Sequence, residues 1–207
     1  VIPAREALTR LREGNRRFVA DNVKSTALTT SARRAALVTG QTPFAIVLGC
    51  SDSRVPAELV FDQGFGDLFV IRVAGNVVAP SQIGSVEFAA SRFGTRLVVV
   101  MGHSQCGAIE ATLEEVLGNE TSASRNLRDI VDRVRPAVRT LLAARRQYDR
   151  ESLLAEAVRA NVRASVDHLR HGSTILEGLV RQDGLLIAGA EYSLETGVVD
   201  FFDGVPD

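Results

Sequence analysis

An α/β fold with a mainly parallel central sheet flanked by helices is predicted from two features of the chain. Phe44–Leu48, Leu68–Val73, Leu97–Met101 and Leu185–Ala190 are near-continuous apolar runs, as expected of strands buried on both faces. Stretches with apolar residues at helical spacing lie between them, so strand and helix alternate as parallel crossovers require. Leu194-Glu-Thr-Gly197 reads as a hairpin turn into Val198–Phe202, an antiparallel edge strand. About four parallel strands plus this antiparallel C-terminal strand are expected, in one domain over 1–207 with a helical arm over about 1–40.

Ala4, Ala7, Leu8, Leu11 and Phe18 line one face of a helix over about 4–20, weakened by Gly14. That stripe fits either the protein's own sheet or a partner subunit. Ser31 reads as the N-cap of a second helix, through Val38, stopped by Gly40. Pro56 suits the first turn of a short helix to about Asp62, and Gln63–Gly66 makes a turn. Ser81 reads as the cap of a helix through Arg92, and helical spacing resumes over Cys106–Leu117. Leu127 to Leu142 mark a long helix from Ser124, which Pro136 should kink or divide. Another helix runs from Asp149 to a C-cap at Gly172, followed by a short one over Thr174–Val180. Arg145 and Arg146 read as a solvated helix face, and His168 and His171 as surface or capping residues.

Composition narrows the function. With 45% hydrophobic and 24% charged residues, the 207-residue chain fits a soluble globular protein with a real core. A net charge of −1 argues against nucleic-acid binding, and no apolar run reaches the roughly 18 residues of a membrane span. The opening Val-Ile-Pro-Ala-Arg-Glu is not a secretory signal, so a cytoplasmic protein is expected, or an exported one whose leader has been removed. Two cysteines do not make a disulfide framework.

Those cysteines carry the chemistry instead. Phe44–Gly49 closes on Cys50-Ser-Asp52-Ser-Arg54, and Leu97–Gly102 closes on His103-Ser-Gln-Cys106. In a parallel sheet, functional groups collect beyond the carboxyl ends of strands, and neighbouring strands lie about 4.8 Å apart. Cys50, His103 and Cys106 can therefore converge on one ion, as a Cys2His set that suits zinc and leaves a fourth position open. Asp52 could fill that position, or pair with Arg54 instead. Taken singly, the cysteines read more readily as small buried hydrophobes and His103 as an ordinary turn residue; the joint pattern, with Asp52 and Arg54 beyond Cys50, favours the metal.

Cys50-Ser-Asp-Ser-Arg-Val-Pro-Ala-Glu58, Val73-Ala-Gly-Asn76 and Gly102-His-Ser-Gln-Cys-Gly107 resemble the motifs of beta-class carbonic anhydrases, and the resemblance covers most of the chain. It implies one zinc per subunit on Cys50, His103 and Cys106, an Asp52–Arg54 dyad, and homodimers, possibly tetramers, in which two subunits build each active site. It further implies a substrate-binding Gln41 and a small apolar pocket lined by Phe69, Ala74 and Phe88, three residues for which core packing is an equal account. One subgroup uses a Trp near the first cysteine to lock bicarbonate; Val47 stands there, and the chain has no Trp.

The implied reaction is reversible hydration of carbon dioxide to bicarbonate and a proton, by attack of a zinc-bound hydroxide on CO2. Two thiolates leave the ion less positive than three histidines would, so activity is expected to rise with pH above neutrality. Asp52 on the metal would close the site, and Asp52 held by Arg54 would open it. Two other readings compete. Gly102-His-Ser104-Gln-Cys106 resembles the nucleophile elbow of serine hydrolases, with Asp149 and His168 or His171 following in order. A zinc-binding structural or CO2/bicarbonate-sensing module, held closed by Asp52, would share every ligand.

Overall fold

A computed structural model of the chain describes residues 2–24, 29–119, 124–144 and 148–205. The reading of Arg145 and Arg146 falls outside those residues. The strands are β1 (Ala45–Gly49), β2 (Leu68–Arg72), β3 (Leu97–His103), β4 (Leu186–Tyr192) and β5 (Val199–Asp203), in sheet order β2-β1-β3-β4-β5. The first four run parallel and β5 pairs antiparallel with β4, as the sequence predicts. Every residue of β1 and β3 is buried, because helices cover both faces of the sheet. Side chains alternate between two cores at the strand period of two. Ala45, Val47, Leu97, Val99 and Met101 face one core; Ile46, Leu48, Val98 and Val100 face the other.

Helix α1 (Ala4–Val19) lies on the first core, with Ala4, Ala7, Leu8 and Leu11 buried in the protein's own interior. Of the two placements open to this stripe, these residues take the intrachain one. Gly14 lets α1 approach. A Cβ built there would collide with the Phe61 carbonyl oxygen, just beyond the short helix Ala57–Val60. Next to it, buried Asn15 donates to the carbonyls of Val60 and Gly197 and accepts from the Val199 amide. Helix propensity alone would make Gly14→Ala stabilising by about 1 kcal/mol. The clash is with backbone, which cannot yield as a side-chain tip can, so overpacking wins. A net loss on the order of 3 kcal/mol is expected, read as a lowered urea midpoint at unchanged m-value.

Helix α2 (Ser31–Ala36) is capped by Thr30, whose side chain accepts from the Arg33 amide, and not by Ser31. The short helix Ala57–Val60 is α3, and α4 spans Pro80–Arg92. Pro80 opens α4, where a missing N–H costs nothing, so Ser81 lies inside the helix and is not its cap. Helix α5 is Gly107–Leu117, with Cys106 as its N-cap residue. Helix α6 (Arg125–Ala143) runs unbroken through Pro136. Pro136 is exposed, so the carbonyl it leaves unbonded meets water, while Val131, Val134 and Val138 keep the buried stripe continuous. Helices α7 (Arg150–His171) and α8 (Thr174–Gln182) are capped by Asp149 and Ser173. Among the described residues no helix is long and apolar enough to cross a membrane.

Helix α7 matters most for the site. Leu154, Ala157 and Val158 pack in the first core and Val162, Val166 and Leu169 in the second, so the helix crosses from one face to the other. A Cβ on Gly102 of β3 would lie 2.7 Å from a Val162 methyl, and one on Gly189 of β4 would lie 2.9 Å from the other. Two strand glycines thus make the groove that lets α7 sit close behind the carboxyl ends of the sheet.

Candidate metal centre

Strands β1 and β3 are parallel neighbours with Gly49 opposite Met101, so Cys50 and His103 emerge side by side at one end of the sheet. The turn after β3 brings round Cys106. The Cys50 and Cys106 sulfurs and a His103 ring nitrogen all lie within 4.8 Å of one another, and all three residues are buried. His103 Nδ1 lies 2.9 Å from the Ser104 carbonyl oxygen. A carbonyl can only accept, so Nδ1 carries the proton and Nε2 presents its lone pair. That Nε2 is buried without a hydrogen-bond partner. A buried, unpaired imidazole lone pair beside two sulfurs is a costly arrangement in a protein interior unless an ion completes it. The donor set fits zinc.

The two thiols are not equivalent. Cys106 beside it draws Cys50 down to about 4 against the opposing effect of burial, and the backbone of Asp52 and Gly75 adds to the fall. Cys106 is pushed up by its contact with Cys50, and burial adds to the rise. Of the two, Cys50 has the surroundings that favour a thiolate, and binding a dication would require both sulfurs to be deprotonated. The Gly75 amide, 3.3 Å from Cys50 Sγ, belongs to the 3-10 turn Ala74–Asn76. Asn161 and Ser165 of α7 donate to the carbonyls of Gly75 and Asn76 and brace this turn from behind.

Asp52 and Arg54 sit in one turn, closed by a hydrogen bond from the Val55 amide to the Asp52 carbonyl. Asp52 Oδ1 accepts from the Arg54 amide at 2.9 Å, the local bond that makes Asp a turn former. The Arg54 guanidinium then grips both carboxylate oxygens, Nε to Oδ1 at 2.9 Å and Nη2 to Oδ2 at 2.7 Å. Asp52 Oδ2 stands 4.0 Å from His103 Nε2, at the edge of the donor cluster but outside it. Of the two arrangements open to Asp52, the structure has the one paired with Arg54.

That pairing holds the Asp52 carboxyl well below the usual carboxylate range, against some desolvation. A carboxyl depressed in the folded state stabilises above its unfolded pKa of about 3.9, and the contribution is lost as pH falls below that value. The gap in urea midpoint between wild type and Arg54→Ala should therefore hold steady from neutral pH to about pH 5. It should narrow progressively below about pH 4; a gap independent of pH would contradict this assignment.

The remaining expected site residues scatter. Ala74 adjoins Gly75 and the Cys50 sulfur. Gln41 precedes β1, beside Val38, Gly40 and Phe65, at the opposite end of the strand from Cys50. Phe69, opposite Ile46 rather than Gly49, packs against the second core with Phe93 at a ring separation of 6.1 Å, and at 6.2 Å meets Phe88, which is exposed and not part of that core. In one chain, then, Gln41, Phe69 and Phe88 do not meet the cluster. Ser104 Oγ accepts from the Leu194 amide, and the recess it lines with Glu151, Ser193 and Glu195 has no histidine among the described residues; neighbouring His103 turns its Nδ1 to the Ser104 carbonyl. His171 is 3.5 Å from Asp167, and His168 lies in a separate groove with Val78 and Arg133, so among the described residues no hydrolase triad assembles on Ser104.

Sequence reasoning overlooked Arg72, Asn161 and Ser165. The helix residues had a signal: Asn161 and Ser165 are polar positions within the apolar stripe Val158, Val162, Val166. Arg72 had a fainter one, a charged residue ending an apolar strand run.

Three comparisons bear on this geometry. A carbonic anhydrase family model matches residues 45–199. Carbonic anhydrase 2 of Mycobacterium tuberculosis is 39% identical over 187 residues, covering 90% of this chain and 87% of that protein. The carbonic anhydrase of Mycolicibacterium smegmatis is 39% identical over 190 residues, covering 92% and 89%. Among solved structures, a beta-carbonic anhydrase of Aspergillus fumigatus superposes with a TM-score of 0.75 at 26% identity, over 84% of this chain and 82% of that one. The Coccomyxa beta-carbonic anhydrase in complex with acetazolamide gives 0.73 at 25% identity, over 94% and 86%.

Proposed function

This chain belongs to the beta-class carbonic anhydrase family, and from that membership we propose that Cys50, His103 and Cys106 hold one zinc ion per subunit. The enzyme hydrates carbon dioxide reversibly to bicarbonate and a proton. The observation that carries the zinc assignment is the buried His103 Nε2, unpaired and within 4.8 Å of the cysteine sulfurs. Bound zinc supplies the Lewis acidity that makes water a nucleophile near neutral pH.

The chain's own residues do the positioning. Arg54 holds Asp52 so that Oδ2 faces the cluster 4.0 Å from His103 Nε2. There Asp52 accepts a hydrogen bond from the attacking oxygen and aims its lone pair at the substrate carbon. Because Arg54 occupies both carboxylate oxygens, Asp52 does not compete for the metal, which argues against a structural or sensing module held closed by it. Carbon dioxide is apolar and needs little more than a small apolar recess. Ala74 supplies one wall.

Gln41 enters this reading through a second subunit. It lies at the far end of β1 from its own Cys50 and cannot reach it, while exposed Val38 and Phe65 share its surface. A homodimer would cover those apolar groups and present Gln41 to the partner's site. Exchange of labelled oxygen out of bicarbonate into water tests the reaction; zinc-loaded protein should catalyse it, and a rate equal to buffer would refute the assignment.

A further inference from the structure

The loop that carries Cys50 and Asp52 is held from behind by a side chain that no step above uses. Arg72 ends β2, opposite Gly49 in the parallel register. Strand alternation buries Ile71 in the second core and turns Arg72 out over the loop leaving β1. Its Nε donates to the Cys50 carbonyl at 2.9 Å and its Nη2 to the Asp52 carbonyl at 2.5 Å. One planar guanidinium thus grips two carbonyls two residues apart and sets the backbone on both sides of Ser51. The Asp52 carbonyl also closes the turn, through Val55 N at 3.1 Å, in which Arg54 meets the Asp52 carboxylate. Among the described residues Arg72 forms no ion pair, so its directional bonding goes to this loop.

Resting on the zinc-hydratase reading above, we infer that Arg72 is a positioning residue for Asp52. It touches neither the cluster donors nor the Asp52 carboxylate. It fixes the backbone between the Cys50 thiolate and the carboxylate, so that Arg54 finds both oxygens and Oδ2 faces the cluster. A lysine would keep the charge but lose the fork, so the inference concerns geometry and not charge.

The test compares zinc-loaded wild type, Arg72→Ala and Arg72→Lys by stopped-flow CO2 hydration, zinc content, and amide exchange of residues 51–55. Arg72→Ala should keep its zinc, lose about 30-fold in kcat with KM nearly unchanged, and exchange faster in that segment. Added guanidinium should restore part of the lost kcat while ammonium does not, and Arg72→Lys should fall between wild type and Arg72→Ala. Three results would overturn the inference: wild-type kcat and exchange in Arg72→Ala; loss of zinc together with activity, which would make Arg72 a support of the metal donors; or raised KM at unchanged kcat, which would place its charge on the substrate. Exchange is read without substrate. An inactive wild type would therefore sink the hydratase reading, while the exchange contrast judges the clamp separately.

Discussion

Cys106→Ser should abolish zinc binding and, with it, CO2 hydration. A serine hydroxyl does not ionise near neutral pH, so the change leaves one thiolate and one imidazole where two thiolates and an imidazole converge. Loss of a directly bound donor should exceed the 10–100-fold loss of affinity typical when only a supporting residue is removed. The fold should survive, because Cys106 is the N-cap residue of α5 and serine is among the best residues for that place. The informative result is thus a folded, metal-free protein. Metal analysis giving one zinc per chain in this variant would remove Cys106 from the ligand set.

Arg54→Ala should cost roughly 100-fold or more in kcat at full zinc content. No donor atom changes, so the metal stays. What changes is the carboxylate: Asp52 loses both bonds of the fork and keeps only the backbone bond to Oδ1. With Oδ2 already 4.0 Å from His103 Nε2, a small rotation carries it into the cluster, where it takes the position that substrate chemistry needs. Arg54→Lys should rescue only in part, since an ammonium cannot hold both oxygens in one plane. Wild-type turnover in Arg54→Ala would contradict the dyad.

How much of this was legible in the chain depended on distance along it. Cys50, Asp52 and Arg54 lie within five consecutive residues, and His103 and Cys106 within four, each group at the end of an apolar run. Local pattern and parallel-sheet geometry were enough to bring them together. The supports were another matter. Asn161 reaches Gly75 across 86 residues, and the approach of α7 depends on Gly102 and Gly189 meeting Val162, which no local window contains. Gly14 looked like a flaw in α1, because its role is set by the Phe61 carbonyl on another element. Pro136 looked like a break, yet it faces water, where an unbonded carbonyl costs little. Gln41, Phe69 and Phe88 carry motif positions without local chemistry of their own, and one chain does not bring them to the cluster.

The most direct measurement is stopped-flow CO2 hydration by the intact protein before zinc removal, after chelation, and after zinc is restored. The account predicts catalysis that disappears with the metal, returns when zinc is added back, and rises with pH above neutrality. Hydration that persists in fully chelated protein, or a zinc-loaded protein no faster than buffer, would contradict it.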